Sequence, residues 1–289
     1  MRDSPTSRLW RYQAERFPLY LIVPTTAAVV ASSAAIARSN FARAGVAGAT
    51  VFLFLAHMRL FDEFKDFEHD RVHHPERPFP RGLVSRRELV RVTLVVLALE
   101  ISFNVALNTR SGRLWFAIAL GYSLLAAREF LLSQVLRPRL LLYNAVHFVQ
   151  LVWVQLYVYA TLGPIRPGAA RWHFALSLAV LLLLEVARKV RTKEADRAGD
   201  TYSAALGHRG AAALYGAIGV VGAFAVAGLV DQMRGPPLIL VLPGGALAAV
   251  LVAGFFYLRR GDERASERLQ TAAVALFIAA HLSVVIALA

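Results

Sequence analysis

The 289 residues contain no cysteine, which excludes disulfides, thiolate metal sites and cysteine nucleophiles. Charge is also scarce, at 18% of residues, where soluble domains carry about 25%. In its place 57% of the residues are hydrophobic and the mean hydropathy is +0.51. The first sixteen residues lack a short apolar core followed by a small-residue cleavage site, so the first apolar run reads as a retained span rather than a removed leader. Acids are outnumbered by bases, 19 to 32, for a net charge of +13. Because the arginines are dispersed through the loops and do not gather on one soluble face, this excess does not point to a nucleic-acid partner.

What the chain does have is apolar runs near the length that crosses a bilayer. Nine are expected, over about 19–37, 44–61, 88–107, 113–128, 140–162, 172–188, 210–230, 237–258 and 270–288. The fold expected is all-α: residues 1–289 form a single membrane domain in the lipid bilayer, with nine spans between 19 and 288 bundled around a central cavity. Lys and Arg outside those spans divide 23 to 7 between the two faces. The positive-inside rule then puts the N-terminus on the cytoplasmic side of the cell (inner) membrane. Ser85-Arg86-Arg87-Glu88 reads as a capping box opening the third span. Gly216, Gly219 and Gly222 allow close helix packing in the seventh. Trp10, Tyr12 and Trp172 fall where interfacial aromatics do.

Eight of the 19 carboxylates lie in two short stretches. The first is Asp62-Glu63-Phe64-Lys65-Asp66-Phe67-Glu68-His69-Asp70, ahead of a proline-rich segment from His74 to Gly82 that cannot continue a helix. The second, Lys193-Glu194-Ala195-Asp196-Arg197-Ala198-Gly199-Asp200, lies four spans later. By span parity the two acid-motif loops, 62–87 and 189–209, share the cytoplasmic face. Asp62, Asp66 and Asp70 at i, i+4 and i+8 would line one helical face and repel, so a divalent cation between them is expected, and dense oxygen ligands suit Mg²⁺. Lys65, Arg71, Arg77 and Arg81 flank the first stretch, and Arg188, Lys189, Arg191 and Lys193 the second. Metal beside Arg and Lys describes a site for a polyanion such as a diphosphate. Deeper in the bundle, Asn144, His147 and Gln155 share one helical face of the fifth span and are candidates for an acceptor pocket, although structural hydrogen bonding accounts for such residues equally well. Glu100 is the only acid deep inside a span, and His281 reads as structural.

These motifs resemble the UbiA superfamily of intramembrane prenyltransferases. There the first motif runs Asn-Asp-x-x-Asp-x-x-x-Asp, which residues 62–70 match with Asp62 for the Asn and Glu63 for the first Asp. Asp70 to Gly82 is similar to the family's Asp-x-x-x-x-Pro-x-Arg-Pro-x-x-x-Gly continuation, and Asp196 and Asp200 match the second motif, Asp-x-x-x-Asp. The resemblance implies Mg²⁺ held by Asp62, Glu63, Asp66, Asp70, Asp196 and Asp200, with Lys65, Arg77, Arg128, Lys189 and Lys193 on the diphosphate of a prenyl diphosphate donor. Lys193 stands where many members carry a further Asp, and the family's Tyr-x-x-x-Lys element has only Arg128 to stand for it. The implied reaction ionises the prenyl C–O bond and passes the allylic cation to a small acceptor, aromatic in typical members. Tyr143, Phe148, Trp153, Tyr157 and Tyr159 are candidates to face that cation. A terpene cyclase on the same scaffold, needing no acceptor, is the alternative. A transporter would place its acids at mid-bilayer rather than at one mouth, and the Asp-Gly-x-x-Ala-Arg signature of CDP-alcohol phosphotransferases is absent.

Overall fold

The computed structural model describes residues 4–192 and 200–288. Among them there is no strand. The chain runs through α1 (Pro5–Arg16), α2 (Leu19–Ala37), α3 (Phe41–Lys65), α4 (Phe67–His73), α5 (Arg86–Leu107), α6 (Arg110–Ala127), α7 (Ser133–Leu136), α8 (Leu140–Leu162), α9 (Pro167–Arg188), α10 (Tyr202–Gln232), α11 (Val241–Arg260) and α12 (Glu263–Leu288).

Among the described residues eight helices are long and apolar enough to cross a membrane: α2, α3, α5, α8, α9, α10, α11 with its preceding turn, and α12. The fourth expected span corresponds to α6, an 18-residue helix that is not among the eight. It nevertheless runs between the two ends of the bundle. Asn108, just before it, bonds Thr161 at the end of α8, while Arg128, just after it, lines a cavity with Lys65 at the end of α3. The alternation of the chain between faces is therefore kept.

Helix starts follow the local chemistry. The first N–H groups of a helix have no partner within it, and short polar side chains supply one. Asn40 does so for α3 and Thr109 for α6, each at 3.0 Å. Ser85 and Glu88 form the expected capping box on α5. The proline-rich segment makes turns instead of a helix, closing at Gly82 with φ +77°.

Packing divides into linked cores. One joins α9, α10, α11 and α12 to α2 around Leu176, Tyr215 and Phe277. Another joins α2, α3, α6 and α8 around Phe54 and Val158. Small residues permit the contacts in α10: a Cβ at Gly219 would meet Val250 at 2.8 Å, and one at Gly222 would meet Val180 at 3.3 Å. Several polar groups inside the bundle pair with one another, as hydrocarbon surroundings favour. Glu100 accepts from His57 at 2.6 Å, and His57 also meets Ser123 at 3.0 Å. Ser32 joins His173 and His281, at 2.9 and 2.8 Å. The structural reading of His281 matches this arrangement. Trp10 is exposed, as an interfacial aromatic should be, but Tyr12 is buried at 6% exposure and packs with Leu60, Phe79, Val84 and Leu89.

Candidate active site

The first acid stretch is not one straight helical face. Helix α3 runs on to Lys65, breaks at Asp66 (φ −96°, ψ 4°), and resumes as α4. The break turns the acids to different partners. Asp62 accepts from Lys65 Nζ at 2.8 Å and is 40% exposed. Glu63 points inward, with Arg16 Nε at 2.7 Å and Arg59 at 3.1 Å on the same oxygen. Asp70, also buried, accepts from Arg77 at 2.5 Å and lies 3.7 Å from Arg16.

Asp66 differs from the others. Its carboxylate has no hydrogen bond or ion pair among the described residues. Burial, reinforced by the charges of Asp62 and Asp70, pushes its pKa up to about 6 against the opposing pull of Lys65 and Arg137. An ionised carboxylate in such a place is short of positive charge.

Beside it opens a cavity of about 470 Å³ lined by Lys65, Arg128, Glu129, Ser133, Gln134 and Arg137. Its far wall is backbone that L-residues rarely adopt. Glu129, Phe130 and Leu131 all have positive φ, between 51° and 59°. Such residues cost on the order of 1–3 kcal/mol each and persist only when their surroundings hold them. Here Glu129, 4% exposed, takes both its oxygens to Arg137 Nε at 2.9 Å, and Phe130 packs on Tyr122 and His147. Arg137 was not readable as a site residue, because the left-handed turn that aims it has no glycine to announce it.

Lys65 also lies over the Tyr143 ring, 5.6 Å from its centroid, and Tyr143 stacks on His147. The Nδ1 of His147 faces the Tyr143 carbonyl at 2.9 Å. A carbonyl only accepts, so Nδ1 carries the proton and Nε2 keeps its lone pair. That Nε2 is buried with no hydrogen-bond partner among the described residues, as is Nδ2 of Asn144 one turn before it. Gln155 is not part of this group. It lies ~12 Å beyond His147 along α8 by the helical rise and bonds Ser33.

The second acid stretch falls largely outside the described residues, and Lys193 and Asp196 lie there with it. Its flanks are described. Tyr202 N–H donates to the Lys189 carbonyl at 2.9 Å, closing the chain between α9 and α10. Lys189 Nζ donates to Asn144 Oδ1 at 2.8 Å. Arg188 lies within electrostatic reach of both Asp62 and Asp200, and His69 within reach of Asp200 and Asp70. Asp200, the described end of the second stretch, therefore lies over the same end of the bundle as Asp62 and Asp70.

Among the described residues no three His, Asp or Glu side chains gather to hold a metal by themselves. Mg²⁺ does not need three. It is held by one or two carboxylates completed by water and substrate phosphate oxygens. Asp66 without a partner among the described residues, with Asp62 one turn away and Lys65, Arg128 and Arg137 lining the adjoining cavity, fits that donor set.

Comparison with known proteins agrees with this geometry. A curated digeranylgeranylglyceryl phosphate synthase of Pyrococcus abyssi (strain GE5 / Orsay) is 26% identical over 241 residues, covering 81% of each chain. A solved apo UbiA homologue from Aeropyrum pernix K1 superposes with a TM-score of 0.68 at 16% identity, covering 91% of this chain and 97% of its own. A UbiA homologue from Archaeoglobus fulgidus, solved with DMAPP and Mg²⁺ bound, superposes at 0.55 with 14% identity, covering 95% and 98%. The model of the UbiA prenyltransferase family matches residues 21–283, nearly the whole chain. With an all-helical bundle whose apolar helices suit a multi-pass membrane protein, the chain belongs to the UbiA prenyltransferase family.

Proposed function

We propose that this protein transfers a prenyl group from a prenyl diphosphate to a small acceptor in a Mg²⁺-dependent reaction at the mouth formed by α3, α8, α9 and the α6–α8 connection. The observation that carries this reading is the half-buried Asp66 carboxylate, without a hydrogen bond or ion pair among the described residues, beside a cavity lined by Lys65, Arg128 and Arg137. The structural neighbour that binds DMAPP and Mg²⁺ supports the donor and the ion. The 23 to 7 division of Lys and Arg supports a cytoplasmic, inner-membrane orientation for this face.

Asp66 and Asp62 would hold the ion, with Asp196 and Asp200 as candidates from the second loop. When bound, Mg²⁺ supplies positive charge against the diphosphate as it departs. Lys65, Arg128 and Arg137 receive the diphosphate oxygens from the side of the cavity, and Lys189 and Arg188 approach from α9. The prenyl C–O bond breaks with both electrons leaving on the diphosphate. Asn144 Nδ2 orients the acceptor, and His147 Nε2 takes the proton that the acceptor loses as its bond to the prenyl carbon forms.

Those two orphaned atoms favour a transferase over a terpene cyclase. An acceptor with a hydroxyl would satisfy both, accepting from Asn144 Nδ2 and donating to His147 Nε2, whereas a purely hydrocarbon substrate would leave them buried and unpaired at a cost of about 1–3 kcal/mol each. The acceptor is taken to be aromatic from the resemblance. The relative's name, that of a glyceryl phosphate lipid synthase, adds a phosphate-bearing acceptor as the second compound class to supply. The test is to incubate purified protein with prenyl diphosphates of several lengths, with and without aromatic and glyceryl phosphate acceptors, and to measure diphosphate and products. Acceptor-dependent, chelator-sensitive release is expected. Acceptor-independent cyclic hydrocarbon would replace this reading with the cyclase. No release from any donor, with Asp66→Asn unchanged from wild type, would remove both.

A further inference from the structure

Helix α1 lies before residue 21, where the family match begins, yet it reaches the acid site. Its last residue, Arg16, is 14% exposed and sends one guanidinium edge to Glu63 Oε1 at 2.7 Å and another nitrogen toward Asp70 Oδ2 at 3.7 Å. Glu63 is near the end of α3 and Asp70 is in α4, each 2% exposed. The joint between them is Asp66. With ψ near 4°, it departs from the helical value of about −42°. One rigid, planar fork therefore spans the joint and touches both arms.

We infer that Arg16 is a positioning residue for Asp66, setting the angle between α3 and α4 and through it the direction of the unpartnered carboxylate. The inference rests on the reading of Asp66 as a metal-holding group. Charge neutralisation alone does not explain the arrangement, because each acid already has a cation of its own. Arg59 serves Glu63 at 3.1 Å, and Arg77 serves Asp70 at 2.5 Å. What Arg16 adds is the connection between them. On this account Glu63 is an anchor: its oxygens face α1 and Arg59 rather than the cavity that holds Lys65 and Arg137. The aromatic packing of Phe64 and Phe67 on Phe79 holds the two helices together from another side, so loss of the fork should loosen the joint without unfolding it.

The probe is Mn²⁺ binding to full-length protein in detergent or nanodiscs, followed by electron paramagnetic resonance without substrate turnover. Arg16→Gln should weaken Mn²⁺ binding about tenfold and Arg16→Lys, which keeps the charge but loses the fork, about threefold. Prenyl diphosphate turnover should show the same loss, recovered at raised metal concentration. Arg8→Gln breaks another α1 ion pair, that to Glu88, away from the joint, and should change binding less than twofold. Wild-type affinity in Arg16→Gln would overturn the inference, as would an equal loss in Arg8→Gln, which would make the effect one of docking α1 in general. Should Arg16→Gln fail to fold, Arg16→Lys decides, and its binding Mn²⁺ as wild type overturns the inference. Failure of the wild type itself to bind Mn²⁺ would instead refute the metal reading on which the inference stands.

Discussion

Replacing Asp66 by Asn should move stability and function in opposite directions. Burial and the neighbouring acids lift the carboxyl from its usual 3.8 to about 6. The native state thus binds this proton more tightly than the unfolded chain does. Where the native state holds more protons, stability falls as pH rises, so between the two values the protein loses what protonated Asp66 contributed. By about 1.4 kcal/mol for each tenfold in the proton equilibrium, ionisation costs about 3 kcal/mol at neutral pH. Asn is neutral and nearly isosteric, so Asp66→Asn should raise the thermal midpoint of chelator-treated protein by several degrees at pH near 7.5, the advantage shrinking toward zero below about pH 4. The same substitution removes the carboxylate proposed to hold the ion, so stabilisation by added Mg²⁺ should vanish and turnover should fall at least about a hundredfold. Differential scanning fluorimetry across pH, with and without metal, measures the first two effects, and diphosphate release measures the third. An Asp66→Asn protein less stable than wild type at neutral pH, or a difference that does not change with pH, would refute the reasoning.

Competition between proton and metal at Asp66 gives a second expectation: Mg²⁺ affinity, measured by titration calorimetry, should fall as pH drops through about 6. Arg137→Met should lower the thermal midpoint by an amount equivalent to about 3–5 kcal/mol, since it leaves the buried Glu129 unpaired beside a strained turn, whereas Glu129→Gln with Arg137→Met should recover most of that loss. Gly219→Val should cost about 1–3 kcal/mol in the same assay without altering metal affinity, because a Cβ there already meets Val250 at 2.8 Å, far from the acid stretches. His147→Phe should leave Mg²⁺ binding intact while lowering acceptor-dependent turnover at least about tenfold, since Nε2 is the lone pair offered to the acceptor.

How much could be read from the chain alone differs from place to place. Apolar runs near 20 residues must be helices in hydrocarbon, where every backbone group needs an internal partner, so the spans were readable to within a few residues at most ends. The weakest was α6, which carries Arg110 and Arg113 in its first turn and falls below the apolarity of its neighbours. Caps at Ser85 and the turn at Gly82 were equally open to reading, since they depend on neighbours in sequence. That Asp200 and Asp62 share one end of the bundle was expected from counting crossings. Directions of individual carboxylates did not follow, because the even spacing of Asp62, Asp66 and Asp70 promised one face and the break at Asp66 dispersed it.

Composition, apolar periodicity and acid spacing thus determined by themselves that this is a helical membrane protein, and they raised the expectation of a polyanion site at one mouth. These properties come from short-range chemistry: hydrocarbon thickness, turn residues and like charges brought close together. Tertiary structure decided which carboxylate of the first stretch stands without a partner among the described residues. That depends on where Arg16 arrives from α1 and Arg77 from the turns after α4, and on an unannounced left-handed turn that brings Arg137 to the cavity. A charge is neutralised by whatever lies nearest in space, and nearness across 47 residues of chain, as between Arg16 and Glu63, is a property of the packed bundle, not of the local sequence.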